Sequence, residues 1–376
     1  MIRRQMQKTL LRLAKKYPVV TLTGPRQSGK TTLCKKCFPQ YFYCNLEDLD
    51  TREFAKKDPR GFLKQSKKMI LDEIQKATSL VSYIQGLVDE NNKAGQFILT
   101  GSHQFELTHI ISQSLAGRTA VLKLLPFSMK ELQKKENYSK FLYRGFYPRI
   151  IDQKLNPTEA LSFYINTYIQ KDLRDIKEIR NFHQFERFLK LCASFTGQRI
   201  NKAQLSNDIG VDSKTIDSWL SILSASYILF LLYPYYKNFR KRVVKQPKLY
   251  FYDVGLASAL LGIKKENHVI SHPLKGALFE NLVIIEKLKQ KLNHAEEPSL
   301  YYFRDNTGNE VDLLEDQGNQ VISYEIKTSQ TLNYSLFKGL NFYKKLHPEN
   351  KKSFLIYTGK EKKQLYGHTC LPYLQI

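Results

Sequence analysis

Ile2, Met6, Leu10 and Leu13 recur at three- and four-residue intervals, and the chain then enters the unbroken apolar run Pro18-Val19-Val20-Thr21-Leu22-Thr23. The first spacing predicts an amphipathic helix, the second a strand buried on both faces. Further strands are predicted at Tyr41 to Asn45, Met69 to Leu71, Phe97 to Thr100 and Ala120 to Leu125. Strands alternating with helices place the first part of the chain in the α/β class.

The pattern changes after residue 155. Tyr164, Tyr168 and Ile169, and then Phe185, Phe188, Leu189 and Cys192, fall on helical stripes around the mixed-charge run Lys171-Asp172-Leu173-Arg174-Asp175. Lys202 to Ile209 reads as a short helix, Gly210 as a turn, and Lys214 to Ala225 as a second helix capped by Ser213. A β-rich hairpin from Ile228 to Tyr252 completes the plan of a winged helix-turn-helix. In the last third, Leu278, Leu282, Ile285 and Leu288 line a helix over 274–292. Strands at 300–304, 310–314 and 320–327, a helix at 333–346 and a strand at 353–357 give the order α-β-β-β-α-β.

Chemistry enters at the end of the first strand. Gly24-Pro25-Arg26-Gln27-Ser28-Gly29-Lys30-Thr31-Thr32 fits G-x-x-x-x-G-K-[ST] between a strand and a helix. The glycines let backbone N–H groups curl around phosphates, Lys30 reaches the β- and γ-phosphates, and Thr31 ligates magnesium. Chance produces the pattern in about one chain in a hundred of this length, and the flanking elements lower that further. Leu71-Asp72-Glu73 closes a strand about forty residues on. Asp72 there holds the magnesium, and Glu73 orients and deprotonates the attacking water. Ser102, after the strand 97–100, is a candidate γ-phosphate sensor or a plain strand-end residue. Arg118 is a candidate arginine finger for a neighbouring subunit's ATP or a surface arginine. ATP and Mg2+ are the expected cofactors.

The chain has 376 residues, enough for two or three domains, and carries 59 Lys and Arg against 35 Asp and Glu, a net charge of +24. Such an excess favours a polyanionic partner, although a Lys-rich surface accounts for part of it. Lys237, Arg240, Lys241, Arg242, Lys245 and Lys248 succeed one another with no acid between, beside Tyr233, Tyr235, Tyr236 and Phe239. Cations for phosphates beside rings for bases suggest nucleic acid, DNA before RNA, met through Arg240, Lys241 and Arg242. A solvated wing packed on the ATPase domain is the competing reading. The five cysteines are irregularly spaced, and Cys34 and Cys37 fall on a helix, where core packing explains them. No apolar run is long enough to span a membrane, and the chain reads as cytoplasmic.

These motifs resemble the prokaryotic AAA+-type ATPases that carry a C-terminal DUF4143 domain. The resemblance rests on the 22–32 loop, Leu71-Asp72-Glu73-Ile74-Gln75-Lys76, Leu99-Thr100-Gly101-Ser102, Leu115-Ala116-Gly117-Arg118, Leu125-Pro126-Phe127-Ser128, Lys248 to Leu256 and Glu325-Ile326-Lys327. It departs at Arg144 to Pro148, where the family more often has a second glycine. It implies an ATP-using protein and a homo-oligomer. The domains expected are an AAA+-like P-loop NTPase at 1–150, a helical linker and winged helix at 151–265, and a restriction-endonuclease-like α/β domain at 266–376.

The last assignment comes from the α-β-β-β-α-β order, which resembles the PD-(D/E)xK nuclease core. Glu280 then falls on the first helix, Asp312 on the second strand, and Glu325 and Lys327 on one face of the third. Asp312 and Glu325 are the candidate metal ligands, and Lys327 would position water or stabilise developing charge. The expected function is an ATPase acting on DNA, with cleavage as the chemistry these four residues would support. The alternative is a nucleotide-dependent regulatory switch whose C-terminal domain binds without catalysis.

Overall fold

The computed structural model describes residues 2–102, 113–133, 136–169, 181–235 and 246–376, excepting the side chains of 168 and 169. The charged run 171–175 lies outside them, as do Tyr236, Lys237, Phe239, Arg240, Lys241, Arg242 and Lys245. The chain forms two compact units. The first comprises Met1–Leu132, Ala225–Tyr227 and Lys289–Glu297, and the second Gln133–Ser224, Ile228–Leu288 and Pro298–Ile376. Residue 150, where the first domain was expected to end, falls within the second unit.

The first unit is built on β1 (Val19–Thr23), β2 (Phe42–Asn45), β3 (Met69–Asp72), β4 (Phe97–Gly101) and β5 (Thr119–Lys123), all parallel, in the order β2-β3-β4-β1-β5. Their apolar runs are unbroken because helices cover both faces. Val20, Leu22, Ile70 and Ile98 face one core with Met6, Leu10 and Leu33. Val19, Met69, Leu71, Phe97 and Leu99 face the other with Leu80, Ile84 and Val88. Each such side chain, fully buried, stabilises the fold by roughly 1.5–3 kcal/mol. The order has a functional consequence: β4 runs between β1 and β3, so its end emerges between the loop after β1 and the acids after β3. Met6, Leu10 and Leu13 bury one face of the helix Met6–Ala14, as the spacing predicts.

In the second unit, Phe185, Phe188, Leu189 and Cys192 bury one side of the helix Phe182–Ser194, and Trp219 packs edge-on to Phe185 and tilted against Phe188, with ring centroids 5.3 and 5.4 Å away. The helix Lys202–Ile209 ends on Gly210 in the left-handed region, and Ser213–Ala225 follows. Asp212, rather than Ser213, caps this second helix, accepting from the Thr215 N–H at 2.8 Å and the Thr215 hydroxyl at 2.9 Å. Next come β6 (Leu229–Leu232) and β7 (Lys248–Phe251), an antiparallel pair. Gly255 marks a close approach: a Cβ there would lie 2.4 Å from the Gly145 nitrogen, so the Arg144 to Pro148 turn packs directly on the segment after β7.

The helix Lys275–Asn293 precedes β8 (Leu300–Arg304), β9 (Glu310–Asp316), β10 (Val321–Lys327) and β11 (Ser353–Tyr357), with the helix Lys338–Leu346 before β11. The α-β-β-β-α-β order is as predicted. Two short strands not foreseen, β12 (Lys363–Leu365) and β13 (His368–Pro372), extend the sheet to β12-β13-β11-β10-β9-β8. Among the described residues, no helix is long and apolar enough to cross a membrane.

Candidate functional site

β1 delivers the chain into the loop at Gly24, whose φ of 146° and backbone contact require glycine: a Cβ would meet the Leu124 carbonyl oxygen at 2.1 Å. The loop closes at Gly29, φ 89°, directly before the helix Lys30–Cys37. Lys30 is buried and folds back over the loop, its ammonium donating to the carbonyls of Gly24 and Pro25, both at 2.9 Å. Burial lowers its pKa, opposed by Glu73 and Asp72. The Ser28 hydroxyl is buried without a hydrogen-bond partner. Arg26 reaches out to Glu47, at 3.3 Å, just past β2.

The end of β3 faces this loop. The Thr31 hydroxyl donates to Asp72 Oδ2 at 2.8 Å, and the Tyr43 hydroxyl donates to the same oxygen at 2.9 Å. Thr100 donates to Asp72 Oδ1. A threonine hydroxyl against a carboxylate at the loop's mouth is a donor set that fits a hard divalent cation. Glu73 adopts a left-handed backbone, φ 57°, turning its side chain toward β4. There Ser102 Oγ donates to Glu73 Oε2 at 2.9 Å, and the Gln75 amide donates to the same oxygen. Burial pushes the Glu73 pKa up, but Lys30, Gln75 and Ser102 outweigh it and hold the carboxyl below the usual glutamate range. Ser102 thus meets Glu73, as the position of β4 between β1 and β3 dictates.

Arg118 is placed elsewhere. Its carbonyl accepts from the Val19 N–H, so it sits at the start of β5 beside the start of β1. With about 3.3 Å per strand residue, that is the edge of the sheet opposite the loop. Its guanidinium grips Asp89 at 2.5 and 2.9 Å. It is not assembled with its own chain's nucleotide site.

The sequence reading missed the support beneath the loop. Arg4 is buried and donates to the Ser28 carbonyl at 2.7 Å, the Leu125 carbonyl at 2.5 Å and Glu131 at 3.1 Å, with its guanidinium 4.9 Å from the Phe127 ring centre. Glu131 also accepts from the Ser128 N–H at 2.9 Å, while its own N–H bonds to Ser128 Oγ. Ser128 and Glu131 have the spacing of a capping box, which was a readable signal. Tyr227, from the short inserted segment of the first unit, meets the Thr23 hydroxyl at 2.8 Å immediately before Gly24. Lys289 donates to the Phe127 carbonyl at 2.7 Å.

A second cluster lies in the other unit. Lys327 bridges Asp312 at 3.2 Å and Glu325 at 2.7 Å, so the two-residue spacing on β10 does put Glu325 and Lys327 on one face. The Ile326 N–H also donates to Asp312, at 2.8 Å. Burial, then the Asp312 charge, lifts Glu325 to about 8. Its Oε2 is buried with no hydrogen-bond partner. Glu280 accepts from Lys248 at 3.0 Å and from the Tyr250 hydroxyl. Burial raises its pKa, Lys248 opposes, and Asp312 adds to the rise. Lys248 was expected among the exposed cations of the wing. It is instead 3% exposed, because β7 turns it inward onto Glu280 and onto Glu310 at 2.5 Å. Among the described residues, no three His, Cys, Asp or Glu side chains form a ready metal cage. The cation that Asp312 and Glu325 hold is the Lys327 ammonium.

Comparison with known proteins divides the chain into three matched stretches. Residues 16–133 match the AAA domain family, 135–267 a domain of unknown function, DUF8612, and 275–376 a domain of unknown function, DUF4143. An uncharacterized protein of Mycobacterium tuberculosis is 30% identical over 339 residues, covering 89% of this chain and 75% of that protein. One from Haemophilus influenzae is 21% identical over 308 residues, covering 72% and 74%. Among solved structures, a Walker-type ATPase of Pyrococcus abyssi is similar at 14% identity and a TM-score of 0.46, covering 69% of this chain and 95% of that one.

Proposed function

The chain belongs to the family of P-loop ATPases in which an AAA domain precedes a DUF4143 domain, and from that premise we propose that it hydrolyses magnesium-bound ATP in order to act on DNA. The observation that carries the ATPase half is the pairing of Thr31 with Asp72 at 2.8 Å next to an ionised Glu73. Magnesium, when bound, neutralises charge on the β- and γ-phosphates and orients them. Thr31 and Asp72 would hold it. The residues do the rest. Lys30 exchanges the Gly24 and Pro25 carbonyls for phosphate oxygens, the 24–29 backbone cradles the phosphates, and Glu73 takes the proton of the attacking water. Ser102, already on Glu73, fixes that carboxylate's direction.

The DNA half rests on the net charge of +24, on the basic run that includes Arg240, Lys241 and Arg242, and on the four acids and two lysines gathered around Asp312 and Glu325. One observation favours a second reading, a regulatory switch with a binding-only C-terminal domain: lysines already sit on Glu280, Glu310, Asp312 and Glu325. Phosphate release with and without single-stranded, duplex and branched DNA separates them. Stimulation by DNA supports the proposal. An unchanged rate with all three, and no magnesium- or manganese-dependent cutting that Asp312→Ala removes, supports the switch.

A further inference from the structure

Gln75 follows Glu73 by two positions in the motif Leu71-Asp72-Glu73-Ile74-Gln75-Lys76. It sits on the short helical turn Ile74–Ala77, which begins directly after Glu73. Ile74 and Ala77, on either side of it, are buried in the core that also holds Leu71 and Leu99. The Lys76 N–H closes the turn onto the Glu73 carbonyl at 2.9 Å. Packing therefore sets the turn, and Gln75 with it. Gln75 is only 8% exposed. Its amide nitrogen donates to Glu73 Oε2 and reaches Ser102 Oγ at 3.3 Å, while its amide oxygen is buried with no hydrogen-bond partner.

A buried carbonyl left unpaired is unfavourable, and so is a left-handed backbone at a residue with a Cβ, such as Glu73 at φ 57°. Both costs fall on the same two neighbours. Turning the amide over would set its oxygen against the Glu73 carboxylate, so the charge of Glu73 decides which way Gln75 points. The effect on Glu73 is one-sided. Its N–H is held by Thr100 Oγ1 at 3.3 Å, and Oε2 takes both side-chain donors, Gln75 and Ser102. Among the described residues, nothing donates to Oε1.

We propose that Gln75 is a positioning residue for ATP hydrolysis: with Ser102 it anchors Glu73 Oε2, which leaves Oε1 as the atom that takes the proton of the attacking water. This rests on reading Glu73 as the general base and names the oxygen that acts. In that step the water oxygen forms its bond to the γ-phosphorus, and the bond from that phosphorus to the β–γ bridging oxygen breaks. The departing ADP keeps the bonding pair, and the proton released by the water goes to Oε1.

The test is phosphate release by the full-length protein at saturating magnesium and ATP. Gln75→Met keeps the length of the side chain and removes the amide. A hydrogen bond to a charged group is lost, so kcat should fall roughly ten- to a hundredfold with KM for ATP unchanged. In a Glu73→Gln background the same change should add no further loss, because Gln75 acts through the carboxylate. Circular dichroism verifies folding, and Gln75→Ala, read by the same measurements, decides if Gln75→Met does not fold. A folded variant with wild-type kcat overturns the assignment. So does a faster one, which makes Gln75 a restraint that holds Glu73 away from the water. A loss of equal size in the wild-type and Glu73→Gln backgrounds, or a KM that rises as kcat falls, makes Gln75 a general support of the fold and overturns it as well. Wild-type turnover by Glu73→Gln alone is a separate result: it removes the base, and the proposal with it.

Discussion

Replacing Glu73 by Gln isolates one proton transfer. The side chain keeps its size, its left-handed backbone at φ 57° and an oxygen that can still accept from Ser102. What disappears is the negative charge beside Lys30. The wild-type carboxyl is held below the usual glutamate range, so it is ionised and able to accept a proton throughout neutral pH. An amide cannot accept one. A positioned general base contributes typically ~10²–10⁴-fold, so kcat should fall by that factor, about 2.7–5.4 kcal/mol in the barrier at 1.36 kcal/mol per decade. ATP affinity should hold, because Lys30, Thr31 and the 24–29 backbone are untouched. The assay is phosphate release at saturating magnesium and ATP, paired with titration of a fluorescent ATP analogue. The pH dependence carries its own sign. A depressed carboxyl pKa means that Glu73's contribution to stability is present above its unfolded value and is lost as pH falls through the folded value. The acid limb that Glu73 imposes on kcat should therefore lie below about pH 4.3, the free glutamate value. Wild-type turnover by Glu73→Gln, or a loss of binding as large as the loss of kcat, would refute the assignment.

Lys30→Ala should greatly weaken nucleotide binding, measured by the same titration, because it removes the loop's ammonium. Gly24→Ala should destabilise the loop and reduce binding, since the new methyl meets the Leu124 carbonyl; a folded variant with normal affinity would contradict the geometry. Arg4→Ala leaves Glu131 buried without its cation and should cost about 3–5 kcal/mol in denaturant unfolding, with nucleotide affinity reduced through the Ser28 carbonyl. Neutralising Arg240, Lys241 and Arg242 together should lower the slope of log DNA affinity against log salt by roughly 0.9 per lost phosphate contact.

The parts that the sequence reveals best are local. The 24–32 loop, the Asp72-Glu73 strand end and the Glu325-Ile326-Lys327 alternation are each written within a few consecutive residues, and their geometry follows from strand and helix periods alone. The parts that stayed hidden join distant positions. Arg4 meets Leu125 and Glu131, and Tyr227 meets Thr23, across more than a hundred residues, where periodicity carries no information. Within the basic run, Lys248 turned out buried because charge pattern does not report which face of a strand turns inward. β12, three residues long, was too short for alternation to register, and β13, His-Thr-Cys-Leu-Pro, has no unbroken apolar run.

The first unit takes three residues at 225–227 and nine at 289–297 from far along the chain. Thr23, Phe127 and Thr9 receive buried partners there: Tyr227, Lys289 and the Asn293 carbonyl. On a ribosome adding roughly 5–20 residues per second, Tyr227 is added about 5–19 s and Asn293 about 8–32 s after Leu132. Until then Thr9, Thr23 and Phe127 lack these partners, while Thr23 keeps its bond to the Leu122 carbonyl. The full support of the phosphate loop is therefore assembled only once residue 293 has been made, so a chain stalled before it should bind ATP more weakly than the full-length protein.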